Sequence, residues 1–151
     1  MPRDVWKPNV TVGAVIERDG RFLLIEEEAQ GRVVLNQPAG HWEQGESLVE
    51  ACVREVMEES AYHFAPTALL GIYHAHAVPE DVTYLRFAFV GRLGARDPAR
   101  ELDRGIRGVV WLSAAELQVC AERHRTPVVM RCVEDYLAGR RYPLELLTSL
   151  S

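Results

Sequence analysis

The chain has 151 residues, 48% of them hydrophobic and 26% charged, with a formal net charge of −5. That length suffices to bury a core, and one globular domain is expected over residues 1–151. The acidic balance and the lack of a basic stripe exclude holding a nucleic acid polymer by counterion release, and no apolar run is long enough to span a bilayer.

The N-terminal MPRDVWKPN has no apolar h-region, so a cytoplasmic protein is expected. The three cysteines, Cys52, Cys120 and Cys132, are odd in number and widely spaced. They fit neither a disulfide framework nor a zinc site and read as small core residues. No self-complementary apolar stripe stands out, which favours a monomer.

In chain order, Asn9 to Ile16 alternates apolar and polar residues and then turns more apolar, as a strand does. Asp19-Gly20 is a hairpin signal, with Arg21 to Glu27 as the partner strand and Val33 to Asn36 as a short third one. Gln37 to Glu46, with Pro38, Gly40 and Gly45, reads as a loop. Ser47 and Glu50 form a capping box, and a helix is expected from Leu48 to about Ala61. Leu69 to Ala77 and Val82 to Leu93 are further strands, joined by a turn at Pro79-Glu80-Asp81. Gly94 to Gly108 reads as a long charged loop, and Val109 to Leu112 as the last strand. Ser113 with Glu116 repeats the capping box, starting a helix to about Arg123. Pro127 opens another helix at its first turn and Gly139 closes it. Strands and helices without a regular βαβ period suggest a mixed-sheet α+β or α/β sandwich.

The first helix carries an anomaly. At 100° per residue, Val49, Val53, Val56 and Met57 gather on one side as a core face. Glu55, Glu58 and Glu59 gather on the other. Like charges at these spacings repel by about 0.2–0.5 kcal/mol per pair, and the helix dipole disfavours anions near its C-terminus. A solvated acidic face is the ordinary reading of such a cluster, and Arg54 pairing with Glu58 at i+4 is an ordinary surface bridge. A hard divalent cation is the functional alternative, since Mg²⁺ takes a few carboxylates plus substrate phosphate.

The wider spacing decides between them. Gly40, five residues, Glu46, seven residues, then Arg54-Glu55-Val56-Met57-Glu58-Glu59 matches G-x5-E-x7-R-E-U-x-E-E-x-G-U, the Nudix box, where U is a bulky aliphatic. Six fixed identities at about 6% usage each match by chance about once in 10⁵ chains of this length. The chain therefore resembles the Nudix hydrolases. Two positions depart from the box: Ala61 stands for its glycine and Tyr62 for its last aliphatic. Either Ala61 takes the left-handed conformation at a cost of about 1 kcal/mol, or the helix runs on by a turn. The phrases Asn36-Gln37-Pro38-Ala39-Gly40-His41, Leu85-Arg86-Phe87 and Arg141-Tyr142-Pro143-Leu144-Glu145 further resemble the NudJ phosphatase subgroup.

The resemblance implies a Nudix-type α/β/α sandwich and a Mg²⁺-dependent hydrolase, with Mn²⁺ as a possible substitute. It implies attack on phosphoanhydride bonds of small molecules. NudJ-like enzymes release phosphate from nucleoside tri- and diphosphates and from hydroxymethylpyrimidine or thiamin diphosphate. A pyrophosphate-releasing Nudix hydrolase, one splitting a nucleoside diphosphate linked to another group, and an inactive Nudix-fold binding module are the alternatives. By the same resemblance Glu55, Glu59 and the Gly40 carbonyl are metal ligands. Glu58 is a further ligand or the base, Arg54 orients a glutamate, and Glu46 braces the loop or reaches a metal through water. Asp103 or Glu101 is a possible base from outside the box. Gln37, His41 and Arg86 are the candidate substrate contacts. Arg86 interrupts an apolar strand, as either an outward residue or a phosphate clamp. His74 and His76 share a strand face but lack a third zinc ligand. Glu26-Glu27-Glu28 reads as a solvated charge run, and Tyr73 and Trp42 as packing or stacking rings.

Overall fold

The computed structural model describes residues 3–150. Its strands are β1 (Asn9–Ala14), β2 (Glu17–Arg18), β3 (Arg21–Ala29), β4 (Arg32–Asn36), β5 (Ala39–His41), β6 (Tyr62–Ala77), β7 (Val82–Arg96) and β8 (Ile106–Leu112). The helices are α1 (Leu48–Ser60), α2 (Ala114–Val119) and α3 (Val128–Leu137), with short 3₁₀ turns at Ala121–Arg123 and Leu144–Leu146. One sheet runs β5-β1-β7-β6. It is mixed, because β1 lies parallel to β7 and antiparallel to β5. In the other sheet β3 pairs antiparallel with β2, β4 and β8.

Both faces of the sheets are covered, and the alternation within β3 shows why. Leu23 and Ile25 join a core cluster with Ala51, Cys52 and Val56 of α1. Phe22 and Leu24 join a second cluster with Leu117 of α2 and Val129, Cys132 and Val133 of α3. A strand buried on both faces reads as a continuous apolar run rather than an alternating one. The result is the expected sandwich, with α1 on one side and α2 and α3 on the other.

Local signals land where they were read. Asp19 and Gly20 have φ of 53° and 79°, the left-handed pair that a two-residue hairpin needs. Ser47 accepts from the Glu50 amide while Glu50 accepts from the Ser47 amide, so the capping box is complete at α1; Ser113 and Glu116 repeat it at α2. The α2 helix is shorter than expected, ending at Val119 before the 3₁₀ turn.

Three expectations are corrected. Ala39–His41 is a strand inside the expected loop, pairing with β1 from Thr11 to Gly13. Strand β6 starts at Tyr62, seven residues before the expected Leu69, because Ala61 turns the chain directly from α1 into the sheet. And the core face of α1 is rotated. Ala51, Cys52, Glu55, Val56, Glu59 and Ser60 are buried, while Val53 is 38% exposed. Glu55 and Glu59 therefore lie inside the packed face of the helix, not opposite it, while Glu58 is half-buried at its edge.

Candidate active site

The rotation of α1 places its carboxylates over β5. The Ala39 amide donates to Glu59 Oε1 at 2.8 Å. Gly40, one residue on, has no room for a side chain: a Cβ there would collide with the Glu55 carboxyl group. Strand β5 is held in this place by its pairing with β1, and the Trp42 amide donates to the Val10 carbonyl just beyond it.

Arg54 organises the acidic groups. Its Nε and Nη2 donate to the two oxygens of Glu46 at 3.0 and 2.7 Å, a fork-on-carboxylate pair. Nη1 donates to Glu55 at 2.7 Å and to Glu58 at 3.2 Å, and Nη2 also donates to the His41 carbonyl. The expected i+4 pair with Glu58 is thus one part of a larger network. Glu46, fixed by Arg54, also accepts from the Glu43 amide at 2.9 Å, and the Arg54 hydrogen bond holds its carboxyl below the usual range.

Glu55, Glu58 and Glu59 line one cavity of about 380 Å³, together with Asp103 and Arg86. Burial pushes Glu59 up to about 8 and Glu55 up to about 7, with neighbouring carboxylates adding to both; Glu58 is also raised. Burial disfavours the ionised forms, so a further positive charge would be needed to hold all three as carboxylates. Arg54 already hydrogen-bonds three glutamates and lies 3.6 Å from a fourth, Glu43. A hard, oxygen-seeking divalent cation suits this donor set, and the bare Gly40 backbone lets the Glu55 carboxyl lie directly against it. Among the described residues, no three acidic, histidine or cysteine side chains are gathered as a ready-made metal cluster; Nη1 of Arg54 donates to both Glu55 and Glu58.

The opposite wall is built on the mixed sheet. Thr11 of β1, Arg86 of β7 and Tyr73 of β6 are register neighbours across it. Arg86 is 9% exposed; its Nη1 donates to Gln37 Oε1 at 2.9 Å and its Nη2 to Asn36 Oδ1 at 2.8 Å. Gln37 was expected to touch substrate, but it sits behind Arg86 at 2% exposure, its amide nitrogen donating to the Val129 carbonyl. His41 lines the cavity mouth, with its ring 6.4 Å from that of Tyr84.

Other expectations sort themselves. Asp103 lines the cavity and its amide donates to the Glu58 carbonyl; Glu101 lies exposed outside it. Glu26, Glu27 and Glu28 pair with Arg123, Arg125 and Arg107, and Glu27 reaches the cavity wall. His76 pairs with Asp81 on the surface. Trp42 is tied to the Glu46 carbonyl, and the Tyr73 hydroxyl to Asp135 at 2.7 Å. Sequence reading missed Asn36, Tyr84 and Arg125 as wall residues. Tyr84 had a usable signal, since it lies two residues before Arg86 and so on the same strand face; Arg125, from a distant loop, had none. A larger hollow of about 650 Å³ on the far side of Tyr73 lacks the glutamates, so volume alone does not locate the chemistry.

A two-sheet sandwich that lays the glutamates of α1 over the glycine of β5 defines a hydrolase of phosphorus-containing anhydrides. The NUDIX domain pattern matches residues 7–132, and the chain belongs to the Nudix family. It is 38% identical over 143 residues to proteins named Phosphatase NudJ from Escherichia coli K12 and Shigella flexneri, covering 95% of this chain and 92% of theirs. A solved NUDIX hydrolase from Nitrosomonas europaea superposes with a TM-score of 0.93 at 52% identity, over 95% of this chain and 98% of that one. A UDP-X diphosphatase shares the fold at a TM-score of 0.74 and 20% identity, over 93% and 68% of the two chains.

Proposed function

We propose that this chain is a Mg²⁺-dependent phosphatase, served also by Mn²⁺, that releases inorganic phosphate from nucleoside tri- and diphosphates and from hydroxymethylpyrimidine or thiamin diphosphate. The observation that carries the reading is the set of box glutamates facing one cavity with a buried guanidinium across from them. Likeness to Phosphatase NudJ over 95% of the chain supports the choice of phosphate as product.

Glu55 and Glu59, with the Gly40 carbonyl, would hold the divalent ion, and Glu58 is a further ligand or the base. When bound, that ion supplies charge neutralisation at the phosphate oxygens and lowers the pKa of water. The chain's own residues do the rest. Arg54 keeps Glu55 and Glu58 in one orientation, and Glu46 keeps Arg54 there. The Ala39 amide fixes the rotamer of Glu59. Asp103, at the cavity edge, is a second candidate to take the proton from water. Arg86 and His41 contact substrate, and Gln37 is a positioning residue that acts through Arg86. The reading takes residues 1–151 as one cytoplasmic, monomeric unit acting on small molecules, with no nucleic acid polymer or membrane as partner. Among the described residues no helix is long and apolar enough to cross a membrane.

A phosphate-release assay tests this, run with and without inorganic pyrophosphatase, in Mg²⁺ and in EDTA. Direct phosphate release from terminal diphosphates, lost in EDTA, is expected. Signal only after pyrophosphatase treatment would move the chain to a pyrophosphate-releasing type, and metal-independent silence on every compound would favour a binding module.

A further inference from the structure

The lining of the catalytic cavity falls into two parts. One carries the carboxylates of α1 and of Asp103. The other, on β6, β7 and the first residue of α3, is a run of uncharged side chains, Tyr73, Ala75, Tyr84 and Val128, beside Arg86 and Arg125. Tyr73, Ala75 and Val128 also line the larger hollow, so the two spaces adjoin along these residues. The hollow continues the apolar lining with Leu69, Ile72, Tyr142 and Leu146. Its charged groups answer one another, since Asp135 pairs with both Arg131 and Arg140.

Ala75 is the small residue on that boundary. Its neighbours on the sheet are large: Tyr84 directly across on β7, and Tyr73 two residues before it on the same face. Both rings lean away from it. The Tyr73 ring lies back over Gly71, where an added Cβ would stand 2.9 Å from its hydroxyl oxygen, and that hydroxyl is tied to Asp135 at 2.7 Å. Gly71 and Ala75 flank residue 73 on opposite sides along the strand, so this ring is turned from Ala75. Tyr84 leans the other way, across β1. Strands β5 and β7 are two strand spacings apart, about 9.6 Å, yet the ring centroids of His41 on β5 and Tyr84 on β7 are 6.4 Å apart. Directly opposite residues hold their Cβ atoms about 4.5–5.5 Å apart. A methyl group at 75, between two rings that turn outward, therefore leaves a slot with Tyr84 as one wall.

We infer that Ala75 is a specificity-determining residue: the planar heteroaromatic ring of the substrate lies in this slot against Tyr84, and the small side chain at 75 admits it. The inference rests on the phosphohydrolase reading above and adds where the organic group sits and which residue limits its size. Nucleotides and pyrimidine-type diphosphates have in common a flat ring joined to a phosphate chain. A slot with one aromatic wall and a larger space adjoining it accepts either ring, because every such ring offers a π face. The phosphate chain then extends from the uncharged part of the lining into the part that carries the glutamates.

Two measurements decide it. In the first, ADP is compared with methyl diphosphate, which keeps the terminal diphosphate and lacks the ring. The variants are Ala75→Leu, which fills the slot, Ala75→Val, a smaller filling that suits a strand, and Tyr84→Leu, which removes the aromatic wall. In Ala75→Leu and Tyr84→Leu, kcat/KM for ADP should fall by about 5- to 100-fold, the worth of a base–aromatic contact, and in Ala75→Val by less. Methyl diphosphate should lose no more than about 2-fold. Equal losses on both compounds, or an unchanged rate on ADP in Ala75→Leu and Tyr84→Leu, would overturn the slot. In the second, saturation-transfer NMR follows AMP against the metal-free protein in EDTA. The adenine protons should take up more saturation than the ribose protons with the natural chain, and this preference should be lost with Ala75→Leu and Tyr84→Leu. No adenine preference with the natural chain, or the same preference with all three proteins, would also overturn it. This arm needs neither turnover nor metal, so failure of the hydrolase reading and failure of the slot are seen separately.

Discussion

Gly40 and Glu55 compete for the same space: the carboxyl group of Glu55 occupies the volume where a side chain at residue 40 would begin. The box glycine is thus a matter of close approach, with no unusual backbone angle involved. Gly40→Ala should push Glu55 off the loop or distort β5. Overpacking of this kind costs about 1–3 kcal/mol, and turnover should fall with it. Thermal denaturation alongside a rate assay checks this; a variant with natural stability and rate would mean that the loop yields freely.

Glu59→Gln separates charge from structure. The amide oxygen of glutamine can still accept from the Ala39 amide, so the hydrogen bond seen at 2.8 Å survives. The negative charge does not. Metal-dependent turnover should drop by about 100-fold or more, since the lost charge stabilisation amounts to several kcal/mol, while metal-free Tm should hold or rise. Full activity in Glu59→Gln would remove Glu59 from the ligand set.

The pH dependence follows from the same burial. Folding raises Glu59 from 4.5 to about 8 and Glu55 from 4.5 to about 7. A carboxyl with a higher pKa in the folded state binds its proton more tightly there. Metal-free stability should therefore be greatest below about pH 4.5 as far as these two groups go, and should decline as the pH rises through 7 and 8. A bound divalent cation reverses the trend, because it requires the ionised forms. The Tm gain on adding Mg²⁺ should widen between pH 5 and pH 8. A gain that is flat across that range would show that these glutamates do not bind the ion.

Much of this was legible in the chain beforehand, and the reasons differ by element. Capping boxes and the Asp19-Gly20 turn are local chemistry, so they could be read directly. The spacing from Gly40 to Glu59 pointed to the candidate site because it joins one stretch of loop and strand to one helix. The facing of α1 was not legible. Valines at 49 and 53 outvoted Ala51 and Cys52 in a hydrophobic count, yet small residues let the helix pack close to β1, where Cys52 Sγ lies 3.8 Å from the Gly13 carbonyl. Buried glutamates look like surface residues to any apolarity pattern. The partners of Arg86 were equally hidden, because Asn36 and Gln37 lie about 50 residues away in sequence and only the sheet brings them together.

Arg54 should prove less replaceable than its charge suggests. It bonds Glu46, Glu55, Glu58 and the His41 carbonyl at once. Arg54→Lys keeps the charge but cannot grip Glu46 with two parallel bonds. A loss of about 1–3 kcal/mol is expected, the value of a hydrogen bond to a charged group, together with a fall in kcat as Glu55 and Glu58 lose their common anchor. Chemical denaturation and steady-state rates would test it; a lysine variant with unchanged kcat would reduce Arg54 to a loop brace.

Ala61 resolves the departure from the box. Its φ of 64° and ψ of 15° are left-handed, and its amide donates to the Met57 carbonyl, so the helix ends there as it would at glycine. The strain costs about 1–2 kcal/mol. Against it, the Ala61 methyl is fully buried, worth about 0.8 kcal/mol, and alanine loses less backbone entropy than glycine on folding by about 0.5–1 kcal/mol. These nearly cancel, which explains how alanine stands where the family has glycine. Ala61→Gly should accordingly change stability by less than about 1 kcal/mol. Ala61→Val is a different case, because a β-branched residue at positive φ is a true outlier and the position is fully buried. It should cost about 2–4 kcal/mol. Denaturant midpoints of the two variants would decide the point: a valine variant as stable as the natural chain would mean that α1 can end in another way.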